Sequence, residues 1–122
     1  MPTIDDVRRI ATSLPEVTEG PDGVRWLVAG RPFAWPWMER VEPRRPRLLN
    51  PLVVALRVRD EADKQARIAA DPEACFTEAH YDGYTAVLVR LEAVAPAALE
   101  AAIRHAWRCR APAALLQRVP ED

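Results

Sequence analysis

Ile4, Val7, Ile10, Ala11 and Leu14 recur every three or four residues, so they share one face of a helix over residues 3–14. Thr3 is placed to cap its N-terminus, Asp5 and Asp6 suit the positive end of the helix dipole, and Pro15 closes it. The Pro- and Gly-containing stretch 15–23 reads as a loop. Val24, Trp26 and Val28 then alternate with Arg25 and Leu27 as a strand, and Ala29-Gly30 turns it into a second strand, Phe33 to Met38. Pro36 has no N–H for a ladder, so this second strand is expected to be an edge or to end there. Three of the four tryptophans, Trp26, Trp35 and Trp37, lie on that hairpin, where strand spacing favours core packing.

Glu39 to Pro51 carries three prolines and four arginines and reads as one long exposed hairpin loop, a wing. Leu52 to Val58 is a strand interrupted by Arg57. Asp60 caps a helix over 61–70, with Ala62, Ala66, Ile68 and Ala69 expected inward and Lys64 and Arg67 outward, and Asp71-Pro72 stops it. Cys75 to Thr77 is a short strand. Asp82-Gly83 is a turn signal, and the β-branched run Thr85 to Leu91 is expected at the centre of the sheet. Pro96 opens a helix over 97–110 with Leu99, Ala102, Ile103, Ala106 and Trp107 on one face; Pro112 breaks it, and 113–119 adds a short terminal helix.

Consecutive hairpins with helices at the ends predict an α+β domain. Its expected form is a two-layer sandwich, a mostly antiparallel sheet with helices packed on one face, spanning 1–122 as a single domain. The uncovered sheet face, or the loops at its edge, is then the natural place for a site.

Composition narrows the class. A hydrophobic fraction of 49% with 29% charged residues is globular. No apolar run approaches the roughly 20 residues of a membrane helix, and the acids at 5 and 6 stand where a secretory signal carries basic residues, so no membrane association and a cytoplasmic location are expected. Cys75 and Cys109 suit a reducing compartment. The net charge of −1 conceals two blocks. Residues 31–59 hold seven arginines against Glu39 and Glu42, and residues 60–82 hold seven acids against Lys64 and Arg67. Such a division either marks an anion-binding face or reflects two neighbouring segments that pair with each other.

Catalytic signatures are missing. The four glycines form no phosphate loop, and Ser13, the one serine, has no base beside it. Cys75 with His80, and His105 with Cys109, are isolated Cys/His pairs with no second pair at finger spacing, so no metal site, no cofactor and no nucleophilic Cys–His pair are expected. The paired acids 5/6, 16/19 and 61/63 are explained by caps, a loop and solvation, and the chain reads as a non-enzyme.

What remains is binding. Arg40, Arg44, Arg45 and Arg47 on a proline-stiffened wing can follow a phosphate backbone, and Trp37, His80, Tyr81 and Tyr84 can touch bases or sugars. DNA is the expected partner on this reading. The alternative is a small-molecule or protein-interaction module using the sheet face near the 80–84 loop.

The same residues carry a resemblance. Leu14 to Gly20 after an N-terminal helix, Phe33-Ala34, Ala69 to Pro72, Phe76-Thr77, His80 to Tyr84, Val87 to Leu91, Ala106-Trp107 and Ala111-Pro112 follow, in order, the pattern of the MmcQ/YjbR family, which the chain resembles over nearly its whole length. The resemblance implies a CyaY-like (frataxin-like) fold and a "double-wing" DNA-binding role. The chain departs from the pattern after Pro112, where Ala113-Ala114 replace the usual lysine, so the basic wing at 40–47 has to carry more of any phosphate contact. Frataxin-type iron binding is not implied, because Arg8 and Arg9 follow Asp5 and Asp6 on the first helix.

Overall fold

The structure, a computed structural model, describes residues 1–119. Its elements are α1 (Ile4–Thr12), β1 (Val17–Glu19), β2 (Trp26–Val28), β3 (Arg31–Glu39), β4 (Leu48–Arg57), α2 (Glu61–Ala70), β5 (Cys75–Phe76), a 3-10 turn (Ala79–Tyr81), β6 (Ala86–Arg90), α3 (Pro96–Arg110) and α4 (Ala113–Arg118). Every strand pairing is antiparallel, in the order β1-β2-β3-β4-β6-β5. The α+β class and the sheet-and-helix layers are those the sequence predicts. Pro120, Glu121 and Asp122, the end of the expected 1–122 domain, lie outside the described residues.

Alternation along β4 and β6 builds two unequal cores. Val54, Leu56, Val87 and Val89 point to the helices, where they join Val7 and Ile10 of α1, Leu99, Ile103 and Trp107 of α3, and Leu115 of α4. Val53, Ala55, Ala86 and Leu88 point the other way and form a small second cluster with Tyr81, Trp35, Trp37 and Phe76. Arg57 belongs to this second set by parity, which is why a charged residue interrupts an otherwise apolar strand. No helix among the described residues is long and apolar enough to cross a membrane.

Five sequence expectations are corrected. First, β1 lies inside the stretch read as a loop: Val17 to Glu19 pair with β2, although Glu16 needs a positive φ of 55° to enter the strand. Second, β3 is interior and not an edge. It is held between β2 and β4, but its last partner on β2 is at Ala34, so Pro36 falls where that side is free and where the β4 register shifts. Third, the wing is shorter than 39–51. Glu39 pairs with Leu48, Met38 with Leu49 and Trp37 with Asn50, leaving 40–47 as the tip of a long hairpin.

Fourth, β6 is second from the edge, and β3 and β4 occupy the middle of the sheet. Fifth, α2 presents a different face. Lys64 is 1% exposed and buried, whereas Ala62, Ala66 and Ala69 are exposed. Three alanines supply little apolar area compared with a lysine stem, and Lys64 Nζ finds acceptors inside, the carbonyls of Tyr81 at 2.6 Å and Tyr84 at 3.1 Å.

Candidate functional site

Among the described residues, no α-helix contributes to the cluster on the sheet's second face, which is covered by the segment from Glu78 to Thr85. Lys64 pins that segment from below through the Tyr81 and Tyr84 carbonyls. Trp35 Nε1 donates to Tyr81 Oη at 3.1 Å and fixes the segment from the strand side. Burial pushes the Tyr81 phenol above its usual value, opposed by that donated hydrogen bond, so it stays neutral at ordinary pH. Gly83 turns the chain at φ +74°, with open space where a Cβ would stand. Gly83→Ala is therefore expected to cost about 1–2 kcal/mol through the backbone alone, with no steric clash. Urea denaturation monitored by tryptophan fluorescence checks it.

Around this segment the aromatic rings meet edge to face. Trp35 and Tyr84 lie 6.3 Å apart, Tyr81 and Tyr84 5.9 Å, and His80 and Tyr81 5.5 Å. Tyr84 is the ring left open, at 47% exposure, and the Arg57 guanidinium lies 4.9 Å from its centroid. A cleft of about 700 Å³ opens beside it, walled by Trp35, Pro36, Met38, Leu49, Tyr81 and Tyr84, with Arg25, Arg47, His80 and Asp22 supplying polar groups. A second groove adjoins it, since Arg47 and His80 line both; its other walls include Trp37, Arg40, Glu39 and Glu78. Within that groove's lining, Trp37 Nε1 and Glu78 Oε1 are buried with no protein partner among the described residues.

Arg47 donates to the Met38 carbonyl, and Arg40 to the Pro43 and Arg45 carbonyls, so neither charge is cancelled by a carboxylate among the described residues. No side-chain ion pair there joins the arginine block 31–59 to the acids of 60–82. Burial first, and then the neighbouring charges of Arg57 and Arg31, hold the Arg110 guanidinium below its ordinary value.

Six of the eight residues singled out in the sequence thus line adjoining depressions: Arg40, Arg47, Trp37, His80, Tyr81 and Tyr84. Arg44 and Arg45 do not; both are exposed at the hairpin tip, and Arg45 pairs with Glu42 at 3.5 Å. Tyr81 is buried and frames the site more than it faces it. Sequence reasoning missed Arg25, Met38, Leu49 and Arg57 as site residues. Arg57 had a readable signal, its parity with Val53 and Ala55 against Val54 and Leu56. Arg25 had none, because it reaches the cleft only through the packing of β2 on β3.

A sequence model of the YjbR family matches residues 12–109, a span that holds every residue of this face. The chain is also 40% identical over 124 residues to uncharacterised proteins of Mycobacterium tuberculosis strain H37Rv (Rv2570) and Mycobacterium bovis (Mb2600), covering 96% of this chain and 95% of each relative. No solved structure matches it significantly.

Proposed function

The chain belongs to the YjbR family, and on that footing we propose that it binds single-stranded nucleic acid, with DNA as the reference ligand, across the second face of its sheet and without catalysing a reaction. One observation carries the reading: an exposed ring, Tyr84, stands between the Arg57 guanidinium and a cleft that the uncancelled Arg47 enters. A base needs a π-face to stack on, and its phosphates need cations along the same track. Tyr84 supplies the first; Arg57, Arg47 and Arg40 supply the second. A single strand suits this face better than a duplex, because the open ring and the cleft accept unstacked bases and a duplex hides them. The compartment for this reading is the cytoplasm, which suits two unpaired cysteines.

A second reading has its own support. The cleft's volume of about 700 Å³ and its apolar wall suit one small aromatic anion held against Arg47, with Arg25 paired to Asp22 at 3.6 Å beside it. Titration of a labelled single strand, the same sequence as duplex, and a mononucleotide, at two salt concentrations, separates the two. The expected order is single strand tighter than duplex, with log K falling against log salt by about 0.7 per phosphate engaged. A mononucleotide that binds as tightly as the longer strand would favour the small-ligand reading. No binding of any probe at low salt would exclude both.

A further inference from the structure

Between α2 and α3, three side chains from the two helices converge. His105 and Cys109 sit four residues apart on α3 and so share a face, and Asp63 of α2 lies opposite them. One oxygen, one ring nitrogen and one sulfur of these residues all lie within 4.8 Å of one another. His105 Nε2 is 2.8 Å from Asp63 Oδ2 and 3.5 Å from Cys109 Sγ.

As a plain hydrogen-bonded brace this cluster is incomplete. A ring nitrogen bears one hydrogen or one lone pair, never both. If Nε2 carries its hydrogen toward the carboxylate, it has nothing left to accept from the thiol. If it is bare, its lone pair faces the lone pairs of Oδ2. A single cation among the three atoms satisfies all of them. Donors placed 2.0–2.3 Å from a shared tetrahedral ion stand roughly 3.3–3.6 Å apart, so the sulfur–nitrogen spacing already suits one and the oxygen needs only a small withdrawal.

We propose that Asp63, His105 and Cys109 bind a divalent transition-metal ion of the zinc type, cross-linking α2 to α3 and leaving a fourth position open to solvent. Thiolate, imidazole and carboxylate together form a borderline-soft donor set, which selects zinc-like ions over magnesium or calcium. On binding, the Cys109 thiol gives its proton to solvent, and the thiolate and carboxylate charges neutralise the ion. The carboxylate is already oriented: the Arg59 backbone N–H donates to Oδ2 at 2.8 Å, and Arg67 Nε lies 3.5 Å from Oδ1. Side-chain exposures of 20% for His105 and 21% for Asp63 leave a path for the ion and for a water in the open position.

The site shares no residue with the cleft, so its test is independent of nucleic-acid binding. The full chain, reduced and freed of metal, is titrated with Co(II) as the probe. The expected result is a saturable thiolate-to-cobalt charge-transfer band at one equivalent, bleached by Zn(II). Cys109→Ser loses the band, Cys75→Ser keeps it, and Asp63→Asn keeps the band but needs more cobalt to reach it. A wild-type chain with no such band in excess cobalt would overturn the proposal, as would a band that survives Cys109→Ser or vanishes in Cys75→Ser. Circular dichroism of each variant verifies the fold, and His105→Asn, which must also weaken the band, gives a second reading from the same helix.

Discussion

Lys64→Ala is expected to destabilise the protein by about 3–5 kcal/mol, a large share of the 5–15 kcal/mol that holds a typical domain together. Its side chain is among the largest fully buried ones, so truncation opens a cavity where a four-carbon stem packed. The Nζ donors to Tyr81 O and Tyr84 O are lost as well. Those carbonyls are not wholly orphaned, since Tyr84 N–H donates to Tyr81 O at 3.0 Å and Ala86 N–H to Tyr84 O at 2.9 Å. The cavity therefore dominates the loss. Lys64→Met separates the two contributions, because it keeps most of the stem and removes only the donors; it should cost about 1–3 kcal/mol. Urea melts with an unchanged m-value measure both. A loss under about 1 kcal/mol for Lys64→Ala, or equal losses for both variants, would show that this assignment of the stabilising contacts is wrong. On the proposed function, both variants should also weaken ligand binding without touching ligand, since Lys64 holds the carbonyl of Tyr84, the proposed stacking platform.

Lysine at position 64 marks the limit of what the sequence discloses. Helix α1 is legible because its apolar positions and its cap agree; the structure ends it at Thr12, short of the expected 14, and adds the reciprocal bond from Thr3 N–H to Asp6 Oδ2 at 2.8 Å. In α2 the periodic signal is carried by alanines, which bury too little area to set the helix's rotation. The rotation is instead set by Ile68 against the main core, by the pull of two distant carbonyls on Lys64, and by Asp63 meeting His105, 42 residues away. None of these has a local pattern. The same holds for the Asp63–His105–Cys109 cluster: His105 and Cys109 look isolated until α2 turns Asp63 toward them. Pro36 misleads for another reason. The rule that keeps proline out of ladders is obeyed, but by a neighbour, β2, whose pairing ends at Trp26 opposite Ala34, and the neighbour's length is not written in β3 itself. By contrast, the cluster at 80–84 and Arg47 stand out one by one, from turn chemistry and the wing's composition; that they line one cleft is disclosed only by the fold. The charge blocks were legible as blocks only. That Arg40 and Arg47 line the two depressions without a carboxylate partner among the described residues is set by the course of the β3–β4 hairpin, which the blocks do not disclose.

Paired substitutions at Tyr84 and Arg47 should separate stacking from charge. In single-strand binding, Tyr84→Ala is expected to weaken affinity by about 1–3 kcal/mol, roughly 5- to 150-fold, because one base loses its platform. The Arg57 guanidinium stays in place, now without the ring it lies over. Since no cation is removed, the slope of log K against log salt should stay unchanged. Arg47→Ala should act the other way: a smaller loss at high salt, a larger one at low salt, and a slope reduced by about 0.7, the signature of one phosphate released. Neither change should disturb the fold greatly, because Tyr84 is exposed and Arg47 anchors only to the Met38 carbonyl. Arg44→Ala is the internal control, since Arg44 sits at the exposed hairpin tip outside both depressions and should shift neither number beyond error. Fluorescence anisotropy over a salt series, with all three variants beside the parent chain, supplies both the affinities and the slopes. If Arg44→Ala lowers the slope and Arg47→Ala does not, the phosphates follow the tip of the wing and the cleft is not the site. If Tyr84→Ala leaves affinity intact while Arg47→Ala abolishes it, charge alone holds the strand, and Tyr84 belongs to the architecture of the 80–84 segment.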